Sequence, residues 1–169
     1  MSKNTRFLTH AAVIAALYAV LTHLQNVLLP GSTTWAIQMR LSEALCVLSF
    51  FTPAAIPGLT VGCLVFNITY AAALPLDFLV GSLATLLAAG GMWLTRRVTV
   101  KGYPLLGMAM PALFNALLVG WELTVYIGGG FFLNALYVAL GELAVLLTFG
   151  TVLFYAVKKR HLDTTVFGA

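Results

Sequence analysis

Residues 104–157 read PLLGMAMPALFNALLVGWELTVYIGGGFFLNALYVALGELAVLLTFGTVLFYAV. Two apolar runs, Pro104–Ile127 and Phe131–Val157, are joined by Gly128, Gly129 and Gly130, and the only carboxylates or basic side chains in the stretch are Glu122 and Glu142. Each run exceeds the ~20 apolar residues needed to cross a hydrocarbon core roughly 30 Å thick. Neither run alternates polar with apolar residues as a barrel strand must, and backbone groups in lipid have to be satisfied within the segment. The stretch therefore reads as two membrane helices joined by a glycine turn.

Outward from this hairpin the same signals recur. Of 169 residues, 61% are hydrophobic and 8% charged, with a mean hydropathy of +0.99; ordinary soluble domains carry about 25% charged residues. A water-soluble globule is excluded. Further apolar runs lie at Leu8–Leu29, Leu41–Phe51, Ala54–Ala73 and Leu76–Leu94, separated by turn and charge signals. The first follows Lys3 and Arg6 as a signal peptide would, but it is too long for one and other spans follow, so it reads as a retained span. The second is too short to cross alone. It lies between Pro30-Gly31 and Pro53, and it either tilts, extends back through Trp35 or lies partly inside the bundle. Cys46 and Cys63 both sit within apolar runs and read as packing residues rather than a disulfide or metal pair.

Lysine and arginine accumulate on cytoplasmic loops. Six crossings from a cytoplasmic N-terminus put Lys3, Arg6, Arg96, Arg97, Lys101, Lys158, Lys159 and Arg160 inside and leave Arg40 outside. The expected fold is thus an all-α membrane protein of six transmembrane helices, a single domain over residues 1–169 with both termini cytoplasmic. The net charge of +4 is a topology signal, since the basic residues form short clusters between spans rather than a surface for nucleic acid. No connection is long enough for a nucleotide-binding or catalytic domain. Neither a Ser-His nor a His-x-x-x-His arrangement lies in the spans, so no enzyme and no metal site is expected.

Charged and amide groups within a bilayer are costly and mark function by default. At ~1.5 Å per helical residue, Glu122 lies about 8 Å and Asn134 about 5 Å below the outer ends of their helices, whereas Asn115 and Glu142 both lie roughly 16 to 18 Å down. Spacings of seven and eight residues put both polar groups of each helix on one face. Trp35, Gln38, Arg40, Glu43 and Asp77 belong to the same outer half, as do His23, Gln25 and Asn26. Four carboxylates, Glu43, Asp77, Glu122 and Glu142, face a single guanidinium, Arg40. Such a site favours a cation or a donor-rich ligand, and a carboxylate can accept two bonds from a heterocyclic N–H and an adjacent amino group.

Structural readings stand beside the functional ones. Asn115 and Glu142 also suit an interhelical hydrogen bond that only packs two helices. Arg40 and Glu43, three apart, also suit a pair on one helix face, and Asp77 suits an N-cap. Trp35, Trp121 and Tyr126 fit an interfacial aromatic belt as well as a stacking surface for a ligand. On the first helix Ala11, Ala15 and Ala19 recur every four residues, with Ala12 and Ala16 beside them; small residues at this spacing mark close helix contacts, within the chain or with another.

Several segments together resemble the QueT family of queuosine-precursor transporters: LTHAAVIAALYAVLT at 8–22, QMRLSEAL at 38–45, FTPAAIPG at 51–58 and GSLATLLA at 81–88. FNALLVG at 114–120, LNAL at 133–136 and GEL at 141–143 extend the likeness over nearly the whole chain. The resemblance implies a substrate-binding (S) component of an energy-coupling factor importer in a bacterial cell membrane. Such a component has six helices, captures its ligand from outside, and works with a transmembrane coupling subunit and two cytoplasmic ATPases. It carries no cofactor of its own, the ATP being used by its partners. Ala11, Ala15 and Ala19 would meet the coupling subunit, and the ligand site would lie near the outer surface, among the first extracellular loop and the last three helices. The implied substrate is an aminomethyl-deazaguanine or a related deazapurine. Depth and polarity then nominate Glu122, Glu142 and Glu43 for donors or the cationic arm and Asn115 and Asn134 for the heterocycle. Arg40, Trp35 and Gln38 would close the site, with Trp121 and Asp77 beside them. Two other cargo readings fit the residues: an S component for a thiamine-like cation, and a stand-alone proton-coupled permease with Glu122 and Glu142 as a relay.

Overall fold

A computed structural model describes residues 2–33, 39–70 and 73–167; Trp35 and Gln38 lie outside this set. Among the described residues the regular structure is helical throughout. Helix α1 spans Lys3–Leu28 and is followed by a 3-10 helix, Leu41–Phe50. Then come α2 (Ala55–Thr69), α3 (Asp77–Thr95), the single turn α4 (Leu105–Met108) and α5 (Met110–Tyr126). The last long helix begins as α6 (Phe131–Val145), widens into a π-helical turn at Leu146–Gly150 and continues as α7 (Thr151–Lys159), before the short α8 (Leu162–Thr165).

Each of the six apolar runs carries a helix, but among the described residues only four segments, 3–28, 77–95, 105–126 and 131–159, are long and apolar enough to cross a membrane. The two exceptions have different causes. Helix α2 has 15 residues rather than the expected twenty and ends at Thr69, giving a length of about 22 Å. The second run adopts the tighter 3-10 winding over ten residues, about 20 Å at 2.0 Å per residue, and buries Ser42, Glu43, Ala44, Cys46, Val47, Leu48, Ser49 and Phe50. A helix buried on nearly every side is a core element rather than a lipid-facing span. Of the three dispositions left open by its length, the one inside the bundle is observed.

Two seams set the architecture. Along α1 and α2, a Cβ added at Gly58 would lie 2.7 Å from the Ala11 carbonyl oxygen, and one at Gly62 would lie 2.7 Å from both the Ala15 carbonyl oxygen and Tyr18 Cβ. The alanine repeat of α1 thus meets a glycine repeat of α2 within the chain, the close backbone approach that small residues permit. Along α5 and α6, a Cβ on Gly120 would lie 2.8 Å from Ala135 Cα, so these helices form a tight antiparallel hairpin. The main core joins Tyr18, Val47, Leu48, Leu59, Cys63, Met92, Met108, Leu146 and Phe154 around the 3-10 helix. A smaller cluster of Ala84, Val119, Leu123 and Val138 ties α3 to the hairpin. The outer surface is apolar, with Val27, Leu94 and Phe132 well exposed, as lipid-facing positions require.

Candidate functional site

The tight seams leave the polar side chains of the bundle pointing at one another. Arg40, immediately before the 3-10 helix, is buried, as are Glu43, Asp77, Glu122 and Glu142, each 5% exposed or less. Burial of ions is expensive unless each charge finds a partner, so the pairing within this group is informative. Arg40 Nη2 stands 3.3 Å from Asp77 Oδ2, while its Nε donates to the Thr33 carbonyl at 3.3 Å and its guanidinium lies 5.8 Å from the centre of the Phe66 ring. The Tyr18 hydroxyl donates to Glu43 Oε1, and the Cys46 thiol donates to Glu43 Oε2 at 3.1 Å.

These bonds decide two of the alternatives. Arg40 pairs across the bundle with Asp77 rather than three residues along with Glu43, because the 3-10 turn aims Glu43 at Tyr18. Asp77 does not cap its helix: Leu76 holds the cap position without a side-chain bond, and the Asp77 carboxylate is directed at Arg40. Asn67 of α2 holds the start of α3 by donating to the Asp77 backbone carbonyl at 2.8 Å.

Across the α5–α6 seam, Asn115 Nδ2 donates to Glu142 Oε1 at 2.9 Å, the juxtaposition expected from equal depth on antiparallel helices. The second level does not close in the same way. Asn134 donates to Thr124 Oγ1 and to the Gly128 carbonyl, both at 3.0 Å, and so fastens the glycine turn, where Gly128 and Gly129 have φ of +90° and +84°. Its amide hydrogens are thereby engaged within the turn. Trp121 is 49% exposed, since one residue of offset turns it roughly 100° from Glu122 around the helix. Half of its surface is therefore on the outside of the bundle, unlike fully buried Glu122.

Glu122 is different from every other member. It is fully buried and neither carboxylate oxygen has a hydrogen-bond partner. Asp77 and Arg40 are the charged groups in electrostatic reach of it, as Glu43 and Arg40 are for Glu142. Asp77 Oδ1, Glu142 Oε2 and Asn67 Oδ1 are also buried without partners. The interior therefore presents a surplus of acceptors around one guanidinium, a set that a cationic or donor-rich guest would satisfy. Among the described residues, no three His, Cys, Asp or Glu side chains are grouped to hold a metal ion.

The alanines of α1 for which the resemblance implies a coupling-subunit contact, Ala11, Ala15 and Ala19, also pack within the chain. Ala11 and Ala15 are only half-buried, but their backbones carry the α2 seam, and Ala19 is buried. The small residues of α1 that stand exposed are Ala12 and Ala16, about 100° around the helix.

Site residues that the sequence reading passed over are Tyr18, Cys46 and Asn67. The first had a usable signal: Tyr18, Thr22 and Gln25 recur at helical spacing on the buried face of α1. Thr22 donates to Ser42 Oγ at 2.7 Å, and Gln25 Oε1 accepts from the Leu41 backbone N–H at 2.8 Å, so this face holds the 3-10 helix in place. Asn67, an amide within the apolar run Ala54–Ala73, carried the same signal as Asn115 and Asn134, whereas Cys46, a thiol among apolar residues, carried none.

Four long apolar spans and a charged cluster sealed inside them define a membrane-embedded protein whose polar chemistry is internal. Comparison with protein families identifies it further: a family model described as QueT transporter matches residues 8–159. The chain belongs to the QueT transporter family and is a transport protein rather than an enzyme. Comparisons with curated proteins and with solved structures found no match.

Proposed function

We propose that the chain is the substrate-binding subunit of an ATP-driven importer of the energy-coupling factor type, and that it takes a queuosine precursor, an aminomethyl-deazaguanine or related deazapurine, from outside the cell. Family membership supports transport of such a precursor. The observation that carries the ligand assignment is Glu122, a fully buried carboxylate with both oxygens unpartnered. In an apolar bundle this arrangement costs several kcal/mol, and it is relieved by a guest that brings N–H donors or a positive charge. Glu142 and Asp77 each add one unpartnered oxygen. Asn115 holds Glu142 in position, and Tyr18 holds Glu43. Arg40 keeps the carboxylates from repelling one another when the site is empty.

In this reading the subunit performs no chemistry. A separate coupling subunit and two cytoplasmic ATPases supply the energy, consistent with connections too short to house a nucleotide-binding domain. The deciding experiment is calorimetric titration of the purified protein with an aminomethyl-deazaguanine, its uncharged nitrile counterpart and thiamine, on wild type and Glu122→Gln. A charge-assisted bond contributes about 1.5–3 kcal/mol, so Glu122→Gln is expected to weaken the amine by roughly tenfold to a hundredfold. Failure of every deazaguanine to bind, with thiamine bound instead, refutes the cargo. Uptake into vesicles lacking any ATPase partner refutes the importer subunit in favour of a permease that relays protons through Glu122 and Glu142.

A further inference from the structure

The unpartnered oxygens of the interior divide unequally between two places. Around Glu142, Asn115 holds Oε1, and neighbouring Glu43 has both oxygens held, by Tyr18 and Cys46. That end keeps a single free carboxylate oxygen, Glu142 Oε2. Toward the start of α3, both oxygens of Glu122 are free, together with Asp77 Oδ1 and Asn67 Oδ1. We propose that Glu122, Asp77 and Asn67 form a subsite for a primary ammonium group and set the preference for cationic over neutral cargo, an assignment that rests on the functional reading above.

Gly81 shows how closely two of the three side chains converge. A Cβ added there would lie 2.8 Å from Asn67 Nδ2 and 2.9 Å from Asp77 Oδ1, so the Asn67 and Asp77 side chains meet over a buried position of α3 that carries none. Each is anchored through its other polar atom. Asn67 Nδ2 donates to the Asp77 backbone carbonyl at 2.8 Å, and Asp77 Oδ2 faces Arg40 Nη2 at 3.3 Å. Glu122 comes from α5, where the turn that carries it packs on α3 through Val119 and Leu123, which cluster with Ala84. Of the charged groups, Asp77 acts on Glu122 most strongly, whereas Glu142 answers to Glu43 and Arg40.

The three side chains are 5% exposed or less, and their free atoms are all acceptors. A primary ammonium brings three N–H donors and a positive charge. With both carboxylates ionised, Glu122 and Asp77 against Arg40 leave a net negative charge to receive it, and bonds between charged partners are the stronger kind. A nitrile in the same place brings no donor and sets an acceptor against buried acceptors, which is unfavourable. Gly81 leaves room that an alanine would take. The cargo then lies with its amine arm toward Glu122 and its neutral donor edge toward Glu142 Oε2.

Calorimetric titration of the purified full chain with the aminomethyl-deazaguanine, its N,N-dimethyl derivative and the nitrile tests the inference. Wild type is expected to bind the primary amine at least about tenfold more tightly than the nitrile, the scale of one charge-assisted bond. The dimethylated amine keeps the charge but loses two donors, and should bind about tenfold more weakly than the primary amine. Gly81→Ala should cut the preference for amine over nitrile roughly tenfold, whereas Glu142→Gln should weaken both ligands alike. Thermal melting shows whether the variants fold; if Gly81→Ala does not, the comparison of primary with dimethylated amine on wild type decides. Equal binding of amine and nitrile, equal binding of the two amines, full preference in folded Gly81→Ala, or its loss in Glu142→Gln overturns the subsite and leaves the functional reading standing. Failure of every deazaguanine to bind overturns that reading and the subsite with it.

Discussion

Gly62→Ala puts the architecture to a direct test, because the added atom has nowhere to go. The new Cβ would lie 2.7 Å from the Ala15 carbonyl oxygen, 2.7 Å from Tyr18 Cβ and 3.1 Å from Ala15 Cα. Ordinary contact begins at 3.4 Å, so the two closest contacts are short by about 0.7 Å. All three neighbours are backbone atoms or the first atom of a side chain, and none can rotate away; α1 itself must move from α2. Overpacking of this kind costs about 1–3 kcal/mol, against which alanine recovers up to about 1 kcal/mol of unfolded-state entropy. A net loss of about 1–2 kcal/mol corresponds to a fall in melting temperature of roughly 2–8 °C for a chain of this size. The protein supplies its own reporter: Cys46 and Cys63 are free and fully buried, so a maleimide dye that fluoresces on reaction registers the opening of the core during a thermal ramp. Gly90→Ala is the matched control, a helical glycine of α3 with no heavy atom within 4 Å of the added Cβ, and it should melt at or slightly above wild type. If Gly62→Ala melts no lower than Gly90→Ala, the α1–α2 seam is not packed as described.

Three further outcomes follow from the buried cluster, each read by the same thiol-dye melting assay. Arg40→Gln leaves Asp77 without its cation and should cost about 3–5 kcal/mol, with part of the loss recovered in Arg40→Gln/Asp77→Asn; strictly additive effects would show that the two do not interact. Tyr18→Phe removes a donor from Glu43 and should cost about 1–3 kcal/mol, whereas an unchanged melting temperature would mean that the bond contributes nothing. Glu122→Gln should leave the melting temperature unchanged or raise it, since no partner is lost, even as it weakens ligand binding. A drop of more than about 1 kcal/mol, the usual net worth of a hydrogen bond, would mark Glu122 as a structural residue.

Much of the cluster was legible before any coordinates. Charged residues are so few in this chain that each one within an apolar run stands out, and depth counting paired Asn115 with Glu142 because a helix advances by a fixed rise per residue. The same counting put Asn134 level with Glu122 yet did not connect them. Depth fixes height along the bundle, but the rotation of each helix and the demands of the Gly128–Gly130 turn determine what an amide reaches at that height. Trp121 illustrates the rotation directly: adjacent to Glu122 in sequence, it faces the opposite environment.

By itself the sequence determined the solvent, the secondary structure and the scarcity of charge. Lipid forbids unsatisfied backbone, so long apolar runs had to be helices, and the likeness at 8–22, 38–45 and 114–120 pointed to the family that the match over residues 8–159 established. Tertiary structure decided which charge faces which. Arg40 chose Asp77 over Glu43, and the alanines of α1 met Gly58 and Gly62 within the chain. Both results depend on how helices far apart in sequence rotate and approach one another. That geometry is set by packing small residues against one another, and periodicity along a single helix does not encode it.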